Sequence, residues 1–208
     1  MANLFDIKLG KLFPALGQLH LAGVTDEMWE KIGGRDGEYA RIVFDALMAK
    51  MNGTVTTHDP IFIPADATAE GLVRDAKTEF ERAGIPLTHL NIDLLHLIRL
   101  DLDLVRGKTC KVFIRNFGRD WETSEGREWQ KSVGADGNTA AYLAWVTKTK
   151  PMGWTVSIPS NDIRLFRSSD GYLCAPNFNR DGAGREFNLF GVWHRWDGDG
   201  SLVAFSAI

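Results

Sequence analysis

The chain has 208 residues, 44% of them hydrophobic and 25% charged, with a formal net charge of -3. Such a composition builds a globular core and leaves no excess of Lys and Arg for broad capture of nucleic acid. It allows one large domain or two small ones.

The two cysteines, Cys110 and Cys174, are far apart and belong to no CxxC pair, so neither a zinc knuckle nor a thioredoxin-type dithiol is available. They read as two buried free thiols in a reducing compartment, with a disulfide open only if the fold sets their strands side by side. The first 23 residues carry no secretory pattern, and no run approaches the roughly 20 apolar residues of a membrane span. The expectation is a soluble, cytoplasmic protein with no membrane association.

In chain order, Thr25-Asp26-Glu27 starts a helix that carries Met28, Trp29 and Ile32 and stops at Gly33-Gly34. A second helix, capped by Asp36, places Tyr39, Ile42, Val43, Ala46 and Leu47 on one face and closes at Asn52-Gly53. The pair invites a helix-turn-helix reading. Its exposed Glu38, Arg41, Asp45 and Lys50 are balanced in charge, however, which favours a packing element over a DNA reader. Residues 1–53 thus read as a helical N-terminal part, and 54–208 as an α+β part; the two can equally be one continuous domain.

Residues 54–64 predict an edge strand or extended connector, and Asp66 or Thr68 starts a helix that ends at Gly84 and Pro86. Ile98, Leu100, Leu102 and Leu104 then alternate with Arg99, Asp101 and Asp103, and Cys110, Val112 and Ile114 alternate again after the Arg106-Gly107-Lys108 turn. This is the period of a β-hairpin over 98–115. The strand extends back to Leu90 in phase, while a short helix over 88–97 fits the same residues. Residues 116–137 read as a long loop with one helical turn, and Asn138 or Thr139 begins a helix stopped by Pro151.

Beyond it, Trp154–Ile158, Ile163–Leu165, Leu173–Ala175, Phe187–Leu189 and Leu202–Phe205 read as strands separated by Gly, Asp, Asn and Pro turns. Strands this close imply an antiparallel meander. The predicted fold class is α+β: N-terminal helices followed by a mainly antiparallel sheet with one or two packed helices.

Chemistry concentrates at Trp193-His194-Arg195-Trp196-Asp197-Gly198-Asp199-Gly200. Asp197-x-Asp199-x-Ser201 spaces oxygens as a calcium loop does, but Leu202 stands where the loop needs Gly and Ile208 where it needs Glu, so a plain Asp-Gly turn is the better reading. His194 beside Arg195 and Asp197 could act as a general acid or base; without a Ser or Cys in a nucleophile setting it reads first as a cross-strand residue. His89, Asp93 and His96 would share one face of a helix and could hold a divalent metal; on a strand the cluster dissolves. Asp101-x-Asp103 reads as the solvated side of a strand. No GxGxxG, GK[ST], HExxH or GxSxG occurs, and the sequence implies no cofactor.

Six of the seven Trp lie at or after Trp121, and rings with a polar handle suit either a thin core or a recognition surface. The leading expectation is therefore a binding or interaction protein using an aromatic-rich C-terminal β-sheet surface, with Trp193, Arg195 and Trp196 as ligand-binding residues. The alternative is a hydrolase or metal-dependent enzyme with a site at His194, Asp197 and Asp199. A protein or a small molecule is the expected partner, rather than nucleic acid.

Overall fold

The computed structural model describes residues 53–181, 184–192 and 195–208. The two helices expected before Gly53 lie outside these residues. Strand β1 (Thr54–Phe62) opens the described chain, its extended form favoured by a run of β-branched Thr, Val and Ile. Helix α1 (Ala69–Arg82) follows, with the Thr68 side chain accepting a hydrogen bond from the Gly71 amide at 3.0 Å.

The predicted 98–115 hairpin is replaced by strand β2 (Leu87–Leu90), helix α2 (Leu94–Val105) and strand β3 (Thr109–Asn116). Buried positions in α2 are Leu94, Leu97, Ile98, Asp101, Leu102 and Val105, the three- and four-residue steps of a helical stripe. Leu100 and Leu104, the other half of the apparent alternation, are 42% and 46% exposed. Leucine and arginine favour helix, so a short every-other-residue leucine run does not fix a strand. The ambiguity over 88–97 resolves into both forms, with the strand ending before the helix begins.

The expected loop over 116–137 contains strand β4 (Trp121–Glu122) and the ten-residue helix α3 (Thr123–Ser132), closed at its start by a Glu122/Glu125 capping box. Helix α4 (Thr139–Thr149) matches its expected start. The Asn138 side chain accepts from the Ala141 amide at 2.8 Å, and Lys150, at φ 48°, ends it in the left-handed region. Six strands complete the described chain: β5 (Thr155–Val156), β6 (Phe166–Arg167), β7 (Leu173–Asp181), β8 (Gly184–Gly191), β9 (Arg195–Trp196) and β10 (Ser201–Ala207).

The strands form an eight-stranded sheet in the order β1-β3-β10-β5-β7-β8-β2, with β6 on β7, and a two-stranded sheet of β4 and β9. Pairing is antiparallel except for β10 with β5 and β2 with β8. The class is therefore α+β with a mainly antiparallel sheet, but the tail is not a simple meander. The consecutive strands β6, β7 and β8 pair as expected; β9 leaves to pair with β4, and β10 inserts between β3 and β5.

The Asp197–Gly200 turn thus carries the chain from one sheet to the other. Its glycines answer a need for space: a Cβ on Gly200 would lie 1.7 Å from Trp154 Cε3, and one on Gly198 2.6 Å from the Arg119 backbone.

Gly53–Ile208 form one compact unit with two apolar cores. The larger lies between α1, α2, α4 and one face of the sheet, around Phe80, Tyr142, Trp145, Phe178 and Phe187. The smaller holds Phe117, Trp121, Val156, Leu165, Trp196 and Leu202. Successive residues of β10 separate them, since Val203 and Phe205 enter the first and Leu202 the second. No described helix is long and apolar enough to cross a membrane.

Candidate binding surface on the aromatic face

The smaller core reaches the surface as a chain of rings. Phe117 stacks on Trp121 at 4.6 Å between centroids, and Trp121 on Trp196 at 5.5 Å. Trp196 in turn meets Trp154 at 5.5 Å and Phe190 at 5.9 Å. Burial falls along the series: Trp121 is 1% and Trp196 2% exposed, Trp154 is half-buried and Phe190 is 45% exposed. Strand pairing sets this order, because the β4–β9 register places Trp121 directly opposite Trp196. The Trp196 indole donates to Thr123 Oγ1 at 2.8 Å, which fixes the ring on the start of α3.

Beside the outer rings lies a row of amides. Asn177 on β7 is opposite Asn188 on β8. With its amide oriented to suit both neighbours, Asn177 donates to the Asn188 carbonyl at 3.2 Å and accepts from Trp154 Nε1 at 3.1 Å. Asn91 donates to Asn188 Oδ1 at 3.2 Å, extending the row to the loop after β2. Asn179, two residues along β7, keeps a buried Oδ1 with no hydrogen-bond partner among the described residues. A half-buried ring edge beside a row of amides suits a ligand with a flat apolar face and polar groups at its rim.

The predicted ligand residues divide. Trp196 is a buried member of the stack, while Arg195 is exposed and pairs with Asp120 at 2.8 Å. Trp193 and His194 lie outside the described residues. Asp197 and Asp199 are exposed, and Asp197 Oδ1 accepts from the Asp199 amide at 3.2 Å, closing the turn on itself.

His89 is exposed on β2, Asp93 is exposed at the start of α2 and His96 is exposed in its first turn. Their spacing needs a helix through all three, and α2 begins only at Leu94. Among the described residues, no group of three or more His, Cys, Asp or Glu side chains could hold a metal ion. Cys110 and Cys174 are free thiols, each pushed up from the ordinary thiol range by burial.

Two polar features escape the sequence reading. Asp101, read as a solvated strand residue, is fully buried. Its carboxylate meets Arg164 Nε at 2.6 Å, and Arg164 reaches Asp136 at 2.6 Å and the Gly137 carbonyl at 2.6 Å. This clasp joins α2 to the start of α4 and to the turn before β6. A cleft of about 420 Å³ lies nearby, lined by Arg127, Glu128, Gln130, Lys131, Ala135 and Ser160. The Ser160 hydroxyl donates to Asp136 at 3.0 Å, and Arg127 to the Pro159 carbonyl at 3.1 Å, so both hold loop structure. The asparagine row had one signal in the sequence, the alternation of Asn177 and Asn179 around Phe178.

Comparison of the chain with known protein families, with curated proteins and with solved structures finds no match.

Proposed function

We propose that this protein is a binding module that takes its ligand on the aromatic face of the C-terminal sheet. The observation that carries the reading is the exposed edge of Phe190, backed by Trp196 and followed along the same face of β8 by the Asn177–Asn188–Asn91 amides. An aromatic ring offers a surface for the C–H face of a ligand, and amides discriminate the hydroxyls around its edge. A saccharide ring has both features.

The test is titration of the full-length protein with a panel of neutral and acidic mono- and oligosaccharides, followed by tryptophan fluorescence. Phe190→Ala should remove the saturable signal and cost less than about 1 kcal/mol of stability, as expected for a surface side chain. Trp196→Ala should lose binding together with about 3–5 kcal/mol, because it empties a core position. No saturable response in the wild-type protein across the panel would reject the saccharide assignment. A response unchanged in Phe190→Ala would reject the surface.

A further inference from the structure

The other side of β8 carries a charge that nothing in the described structure balances. Arg185 is 4% exposed, and its backbone is held between β7 and the Pro86 carbonyl, to which its amide donates at 2.9 Å. Its Nη1 donates to the Gly184 carbonyl at 3.0 Å, and its Nη2 meets Met152 Sδ at 3.3 Å. Its Nε is buried and has no hydrogen-bond partner among the described residues. No described carboxylate forms an ion pair with it.

A guanidinium stays cationic at physiological pH, so burial cannot be relieved by losing the proton. An unpaired buried charge is among the costliest groups in a protein interior. The edge left unmatched is informative. Nε and Nη2 together form the side-on fork that accepts two oxygens of a carboxylate or phosphate at once. Here one prong has no acceptor and the other has a thioether, a weak one. Met152 is 68% exposed and sits between Pro151 and Gly153, so the sulfur covers the fork from a segment with little packing of its own.

We propose that the Nε/Nη2 edge of Arg185 is a recessed oxyanion seat, covered by Met152 and taken by a carboxylate or phosphoryl group when that side chain swings aside. The seat is separate from the aromatic face, because Arg185 shares its side of β8 with Phe187 of the larger core, whereas Asn188 takes the opposite side.

Thermal unfolding of the full-length protein in rising phosphate or acetate, at ionic strength matched with sodium chloride, tests it. At least one oxyanion should raise the midpoint saturably beyond the chloride control. A response to phosphate alone would identify a phosphoryl ligand, and a response to acetate a carboxylate. Arg185→Met, which keeps the length and removes the charge, should abolish the rise. Arg185→Lys, which keeps the charge without the fork, should raise the half-saturating concentration about tenfold and serves if the methionine variant does not fold. Met152→Ala should lower that concentration by removing the competing sulfur. No rise with either oxyanion, or an equal rise in both arginine variants, would overturn the proposal.

Discussion

A single side chain shows how far a local pattern can mislead. Asp101 stands directly between Leu100 and Leu102, an alternation that on sequence alone puts it on a wet strand face. Among the described residues it is the most enclosed acid, reached by Arg164 and by the Thr139 amide at the start of α4. What made it unreadable is distance along the chain: Arg164 is 63 residues away, and no local signal announces such a partner. A carboxylate at 0% side-chain exposure paired with a guanidinium at 16% is well shielded from solvent. Removing Asp101 leaves Arg164 its Asp136 and Gly137 partners but takes the acceptor away from Arg164 Nε and from the Thr139 amide, at a cost of about 1–3 kcal/mol. Asp101→Ala should therefore lower the stability measured by urea unfolding by that amount. Asp103→Ala, whose carboxylate is 76% exposed, should change it by less than about 0.5 kcal/mol. Equal effects would mean that the clasp does not form.

Among the helices, α1 and α4 were legible through their chemical punctuation, whereas α2, read from periodicity alone, and α3, despite its Glu122/Glu125 capping box, were not. Helices α1 and α4 announce themselves through Thr68 and Asn138 at their starts and Gly84 and Pro151 after their ends, and the structure follows these signals. Helix α2 has no side-chain cap at its start. Its leucine alternation was accordingly read as strand, and the first expected partner of β3 became a helix packed over the sheet. Leu102→Ala should cost about 2–5 kcal/mol, since Leu102 is 1% exposed, while Leu100→Ala should cost less than about 1 kcal/mol. A strand with one buried face would make the two losses similar, so urea unfolding of the pair distinguishes the readings.

For the whole molecule, composition and turn chemistry gave the class and the abundance of strands in the C-terminal half, but not their order. Neighbours in the sheet are often remote in sequence: β1 pairs with β3, β2 with β8, and β4 with β9. The candidate surface was legible only in outline. Its rings were visible as a concentration of Trp, yet which ring faces outward depends on pairings no local pattern encodes. A fragment spanning Gly53–Ile208 should unfold in one cooperative transition by near-ultraviolet circular dichroism. Two separated transitions would divide the two cores into independent units.

The position of β10 carries a consequence for synthesis. It is the last of the sheet's strands to be made, yet it is the one that joins β1-β3 to β5-β7-β8-β2. Until it leaves the ribosome, the nascent chain holds two unjoined half-sheets with open backbone edges and the sticky flanks of Val112 and Val156 uncovered. Assembly must therefore be delayed to the end of this region's translation, and chaperone demand should peak just before it.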